Sequence, residues 1–234
     1  MSKRLNGTST KDSAYPRDPL GWYVEEPFCA EQLFDALDFG KVAIWDPSCG
    51  RGTILDVARA RGHRTFGTDI ENRFKPGKHP FATANFLCLR ACATAGTDGI
   101  AIVCNPPYNE PEKGIAEKFV LHALKLGGWS RAAFLVPLEF QCGQGRYERL
   151  YRDNRPSHVV SLMERPSMPP GQMLEDLGEA CRGGGMQDYC WVVFTAGWTA
   201  PTQHLFARPT NAVAHDISTR RVRAGRKVAS ASAA

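Results

Sequence analysis

Residues 102 to 110, "IVCNPPYNE", place two consecutive prolines between an amide and an aromatic ring, directly after an apolar run. Proline fixes φ, and Pro106 also restricts the backbone of Asn105 before it. Such stiffness suits a site that must hold a few groups still. The chemistry it fits is attack by a weak nitrogen nucleophile. An exocyclic amine conjugated to a ring needs its lone pair aimed at an electrophile. The Oδ1 atom of Asn105 and the carbonyl of Pro106 can accept its two hydrogens, and Tyr108 can offer a stacking face to the flat ring. An Asn-Pro-Pro-Tyr match arises by chance on the order of once in a thousand chains of this length, given usual residue frequencies.

A second group of residues points to a ligand. "DPSCGRGT", residues 46 to 53, contains Gly50 and Gly52, where the backbone can approach a bound molecule closely. Thr53 is suited to cap a following helix, and Asp46 can accept hydrogen bonds from an amine. Asp69 lies 23 residues further on (69 − 46). An acidic residue at about that distance, ending the second strand of a βαβ unit, is the usual clamp on a ribose diol. The loop has neither the phosphate-binding lysine pattern nor a full GxGxxG. A positively charged amino-acid nucleoside therefore suits Asp46 and Asp69 better than a triphosphate or a dinucleotide. Asn85 is placed to hydrogen-bond an adenine edge and Phe86 to pack on its ring, although a phenylalanine buried in the core is the reading this weak signal favours.

These residues require elements that deliver them to one place. Apolar runs alternate with helical patterns along most of the chain. Strands are expected in "KVAIW", "RTFGT", "FATANFL", "GIAIVC", "RAAFLVP", "HVVSLM" and "YCWVVFTA". Helices are expected in "CAEQLFDALDFG", "TILDVARARG", "IAEKFVLHALKLGG" and "RYERLYRD", with a short one near "LRACATAG". Repeated strand–helix units predict an α/β fold, a mainly parallel sheet with helices on both faces, whose ligands bind outside the carboxyl ends of the strands. The last two strands lack a clear helix between them, which predicts a reversed final strand. The organisation expected is a disordered segment over 1–18, one domain over 19–207 with an irregular insertion at 164–188, and a basic disordered tail over 208–234. That tail carries Arg220, Arg221, Arg223, Arg226 and Lys227.

Composition narrows the classes. The chain has 234 residues, 43% hydrophobic and 23% charged, enough for one sizeable core. A net charge of +5 permits an anionic partner without demanding one. Eight cysteines without a CxxC pair argue against a zinc site or a disulfide framework and for small buried hydrophobes in a reducing compartment. No apolar run is long enough to span a membrane, and the polar N-terminus lacks a signal-peptide core, so a cytoplasmic protein without a membrane partner is expected. The six histidines show no HxxxH pair, and no metal is expected.

On these motifs the chain resembles the S-adenosylmethionine-dependent amino-methyltransferases, specifically N6-adenine DNA methyltransferases of the small phage or prophage type. "DPSCGRGT" is similar to their first cofactor motif, Asp69 to their ribose-binding acid, and Asn105-Pro106-Pro107-Tyr108 to their catalytic motif. The order of motifs, cofactor loop first, is that of the gamma group. "GWYVEEP" resembles the segment that folds over the methionine end of the cofactor, and "ERPSM" with "DYCWVVF" resembles the closing strands. The likeness covers roughly residues 20 to 196.

It implies a Rossmann-like class I methyltransferase fold with a seven-stranded sheet and S-adenosyl-L-methionine as cofactor. Cofactor contacts fall on Tyr23, Asp46, Pro47, Ser48, Cys49, Gly50, Gly52, Thr53, Asp69, Ile70, Asn85 and Phe86. Duplex DNA is the implied partner, with the target adenine flipped from the stack. Because the sulfonium is itself the activated electrophile, no metal is implied. RNA adenine and protein glutamine-amide methyltransferases share the catalytic motif, and a non-catalytic nucleic-acid binder is a rival of another class. Two departures stand out. Asn85 occupies a position where many relatives carry Asp. Only about 40 residues follow the last expected strand, too few for the target-recognition domain of gamma enzymes.

Overall fold

The computed structural model describes residues 18–74, 77–92, 99–182 and 185–210. Its elements run in the order α1 (Pro27–Ala36), β1 (Ala43–Asp46), α2 (Thr53–Ala60), β2 (Thr65–Asp69), β3 (Phe81–Thr83), β4 (Ile100–Cys104), α3 (Ile115–Leu126), β5 (Arg131–Pro137), a short α4 (Gln144–Arg146), β6 (His158–Ser161), α5 (Gly171–Leu177), β7 (Tyr189–Thr195) and β8 (Gln203–Phe206). They build one Rossmann-like sheet in the order β3-β2-β1-β4-β5-β7-β6-β8. β1 to β5 are parallel, and β7 runs antiparallel between β5 and β6.

The central strands read as continuous apolar runs because both faces are covered. Side chains alternate between two cores. Ile44, Val103, Leu135 and Trp191 face one core, shared with Leu33 of α1 and Ile54 and Leu55 of α2. Trp45, Ile102, Phe134 and Val192 face the other, shared with Phe119 and Val120 of α3. All eight cysteines are free thiols, and Cys29, Cys49, Cys104 and Cys190 are buried.

Four expectations need correction. The sheet has eight strands rather than seven. β8 pairs parallel to β6 at the sheet edge, and its four mostly exposed residues, QHLF, give no periodic signal. The reversed strand, β7, is therefore not the last in the chain. The short helix sought near "LRACATAG" lies in part outside the described residues, and a 3-10 turn forms earlier, at Phe86–Cys88. The 164–188 segment is not wholly irregular, since it contains α5 and a 3-10 turn, Gly178–Cys181. "RYERLYRD" is helical as expected, but as α4 followed by a π-helical turn over Tyr147–Tyr151. The N-terminal segment before Asp18 and the tail beyond Thr210 lie outside the described residues. No helix among the described residues is long and apolar enough to cross a membrane.

Candidate active site

The parallel strands deliver their following loops to one end of the sheet. β1 ends at Asp46, β2 at Asp69 and β4 at Cys104, immediately before Asn105. A cavity of about 200 Å³ lies there. It is lined by Tyr23, Pro47, Ser48, Asp69, Ile70, Asn85, Phe86, Asn105 and Pro107 among the residues expected from sequence. Cys49, Gly50, Gly52, Thr53, Pro106 and Tyr108 are not in its wall, and Asp46 lies behind Ser48.

The first loop is held from both sides. Asp46 Oδ1 accepts from the Ser48 N–H at 3.1 Å, and the Ser48 hydroxyl donates to the Asn105 carbonyl at 3.0 Å. The loop of β1 is thereby tied to the loop of β4. Gly50 donates its N–H to Asp69 Oδ2 at 2.8 Å, which ties it to the end of β2 as well. Gly50 has φ +47°, and a Cβ there would meet Trp22 Nε1 at 2.9 Å, so the position demands glycine on both counts. Thr53 does not cap α2. It is the first helical residue, and Gly52 in the left-handed region occupies the cap position without a side-chain bond.

Asp69 Oδ1 accepts from the Glu71 N–H at 3.2 Å and from Arg73 at 2.9 Å. The Arg73 guanidinium also lies 4.6 Å from the centre of the Trp22 ring. Trp22 and Arg73 line both the cavity and an adjoining groove of about 370 Å³. Asn85 caps the 3-10 turn, its Oδ1 accepting from the Leu87 N–H at 3.0 Å. Phe86 is only 1% exposed and packs edge-on to Trp45, so the core role holds for it even as it forms part of the cavity wall.

Asn105 is constrained at both ends of its amide. Nδ2 donates to Glu25 Oε2 at 2.8 Å and to the Tyr23 carbonyl at 3.4 Å. Oδ1 accepts from the Tyr108 hydroxyl at 2.5 Å. Burial pushes the Tyr108 phenol well above its ordinary range, so it stays a neutral donor. Its ring packs against both cores and sits 6.0 Å from that of Tyr189. Replacing Tyr108 with Ala empties this space and should lower stability by about 3 kcal/mol. Tyr108→Phe keeps the ring and loses one hydrogen bond, about 1 kcal/mol. Denaturant melts of the two variants check the order, and equal losses would mean that the hydroxyl, not the ring, is what the fold needs.

Three acids converge at the cavity, Asp69 in its wall and Glu25 and Asp46 outside it. Glu25, Asp46 and Asp69 are 7%, 2% and 6% exposed. Burial raises the carboxyl pKa of each, and for Asp46 the charges of Glu25 and Asp69 raise it further. Such a cluster favours a cation, which would let the carboxyls ionise without mutual repulsion. No group of three His, Cys, Asp or Glu side chains among the described residues is arranged to hold a metal ion.

No protein-family model and no curated protein sequence matches the chain. Solved structures resemble it in fold. A Lactococcus lactis protein described as a hemolysin is 10% identical, with 77% of this chain and 91% of that one covered and a TM-score of 0.50. A protein of Pyrococcus horikoshii described as an RNA methyltransferase is 13% identical, with 72% and 81% covered and a TM-score of 0.47. A SAM-dependent methyltransferase of Archaeoglobus fulgidus is 13% identical, with 71% and 91% covered and a TM-score of 0.46. At these identities the likeness concerns the fold alone.

Sequence reasoning treated "GWYVEEP" as a block and did not single out Glu25 or Trp22, nor Arg73. Glu25 reaches the site because residues 22–26 are strapped across the 164–182 segment. The Val24 N–H donates to the Pro169 carbonyl at 3.0 Å and Gly171 to the Trp22 carbonyl at 2.9 Å. Arg182 donates to the carbonyls of Val24, Glu25 and Ser167. A Cβ on Gly171 would fall 2.1 Å from the Trp22 ring, so this crossing needs the missing side chain. In sequence, an acid four residues before Arg73 was the available hint for the Asp69–Arg73 pair.

Proposed function

We propose that this chain transfers a methyl group from S-adenosyl-L-methionine to the exocyclic N6 of adenine in DNA. The observation that carries the reading is the Asn105 amide. Its nitrogen is committed to Glu25 and Tyr23, and its oxygen takes one bond from Tyr108 and keeps a second lone pair to receive an amine, beside a cavity backed by buried carboxylates.

The residues present fit the cofactor. Desolvated Glu25, Asp46 and Asp69 favour a cationic ligand, and the cavity and its adjoining groove together reach the scale of about 300–1,000 Å³ usual for small-molecule sites. Asp69 would hold the ribose hydroxyls in exchange for Arg73. Asp46 would face the amino group, the Gly50–Gly52 turn would lie against the nucleoside, and Ile70, Asn85 and Phe86 would take the adenine. When bound, S-adenosylmethionine supplies a methyl group already activated by its sulfonium sulfur.

The chain then has to present the amine. Asn105 Oδ1 and the Pro106 carbonyl accept the two N6 hydrogens and aim the nitrogen lone pair at the methyl carbon. The amine nitrogen would gain positive charge as it takes up the methyl group. These two oxygens stabilise that charge until a proton leaves to water. The target base must leave the duplex to reach Asn105.

Labelled-methyl transfer to DNA, RNA and protein acceptors tests the reading. Label in the N6 position of DNA adenine is the expected outcome. Label in RNA adenine or in a glutamine amide would keep the chemistry and replace the substrate. No transfer to any acceptor would leave a nucleic-acid-binding role instead.

A further inference from the structure

The polarity of an asparagine side chain is decided by its neighbours, since the amide can sit with oxygen and nitrogen exchanged. At Asn105 one choice is enforced. The Glu25 carboxylate at 2.8 Å and the Tyr23 carbonyl at 3.4 Å are both acceptors, so both must face Nδ2. The Tyr108 hydroxyl at 2.5 Å donates to the opposite end. Exchanging the ends would set Oδ1 against a carboxylate and a carbonyl. It would also present N–H groups to the incoming amine, whose hydrogens then find no acceptor.

We propose that Glu25 is a positioning residue that locks the Asn105 amide with the second lone pair of Oδ1, beside the Tyr108 bond, open to the target amine and strengthens that oxygen as an acceptor. The inference rests on the methyl-transfer reading. A buried carboxylate hydrogen-bonded to Nδ2–H draws positive charge to the nitrogen end and leaves Oδ1 more negative, and such charge-assisted bonds are the stronger class. Burial is the largest influence on Glu25 and raises its carboxyl pKa, while the Asn105 bond, a backbone bond, the Arg182 charge and the Thr53 side chain offset part of that rise. The residue is also anchored through its backbone. Arg182 holds the Glu25 and Val24 carbonyls at 3.3 and 3.0 Å, and Glu26 accepts from the Ser167 N–H at 2.7 Å. The strap therefore has little freedom to carry Glu25 away from Asn105.

The test compares Glu25→Gln and Glu25→Leu in the full chain. Gln keeps an acceptor for Nδ2 and removes the charge. Leu removes both. Leu should lower kcat by about 100-fold, the scale for losing one preorganised polar contact at a reacting centre. Gln should recover at least about tenfold of that loss. Binding of S-adenosylhomocysteine, by calorimetry, should change by less than about fivefold in either variant, because Asn105 faces the acceptor. Equal kcat in Gln and Leu, or a loss confined to cofactor affinity, would overturn the proposal.

A second readout does not depend on turnover. The Asn105 side-chain amide protons, followed by nitrogen-edited NMR, should exchange slowly with water in the natural protein and rapidly in Glu25→Leu. Unchanged exchange would overturn the positioning role whatever the activity. Slow exchange lost in Glu25→Leu, with no methyl acceptor found for the natural protein, would uphold the Glu25–Asn105 lock and remove the methyl-transfer reading instead.

Discussion

Asn105→Ala should abolish most methyl transfer, by about 10²–10³-fold, and leave S-adenosylhomocysteine binding nearly intact. The side chain sits at the carboxyl end of β4, and neither of its amide atoms is spent on the loops of Asp46 or Asp69. The backbone carbonyl that receives the Ser48 hydroxyl survives the substitution, so the first loop keeps its tie to β4. The change also takes one hydrogen bond from each of two buried partners, the Glu25 carboxyl, which keeps Thr53, and the Tyr108 hydroxyl, which keeps the Leu135 carbonyl. A lost hydrogen bond costs about 1 kcal/mol, so a lower melting point is expected alongside. Calorimetry and single-turnover transfer, both well below that melting point, separate the two effects. Residual transfer within tenfold of the natural protein would remove Asn105 from the chemistry.

Asp69→Ala should act on the other side of the site and weaken cofactor binding by about 1–3 kcal/mol. That is roughly 5- to 150-fold in Kd. Its Oδ2 orders Gly50, and its Oδ1 is the oxygen shared with Arg73 that a ribose diol would take over. Asp69→Asn retains an acceptor for Gly50 and loses the charge, so it should fall between the natural protein and Ala. The sign of the pH dependence follows from the same carboxyls. Glu25, Asp46 and Asp69 all have raised pKa values, so on acidification they gain protons earlier than ordinary carboxyls. Affinity for the cationic methyl donor should therefore decline as pH falls through that raised range. Stability without ligand should move the opposite way, because a raised folded-state value favours folding below it and is lost as pH rises. An unchanged Kd in Asp69→Ala, with pH-independent binding, would make Asp69 a loop anchor alone.

The strands that carry the site were legible because their composition leaves few alternatives. "GIAIVC" and "RAAFLVP" are too short and too apolar for surface helices, and each ends at a glycine- or proline-rich break. Asp46, Asp69 and Asn105 could be placed at strand ends from that pattern alone, since a parallel sheet gathers its carboxyl ends on one side. β8 was not legible. "QHLF" is an exposed edge strand held by backbone pairing with β6, and backbone pairing leaves no mark on side-chain periodicity. Thr53 shows a different failure. Threonine before a helix reads as a cap, but Gly52 adopts φ +88° and takes that position itself.

By itself, the sequence determined the kind of layered sheet, the mainly parallel run of its strands and the proline-stiffened turn that carries Asn105. These are local or periodic properties, and local chemistry is what a sequence displays. Tertiary structure alone decided which way the Asn105 amide points, because that depends on Glu25, 80 residues earlier in the chain. It also decided that Glu25, Asp46 and Asp69 share one desolvated neighbourhood, and that the 164–182 segment clamps the strap bearing Glu25. Each is a contact between segments distant in sequence, formed only when the sheet order brings their ends together.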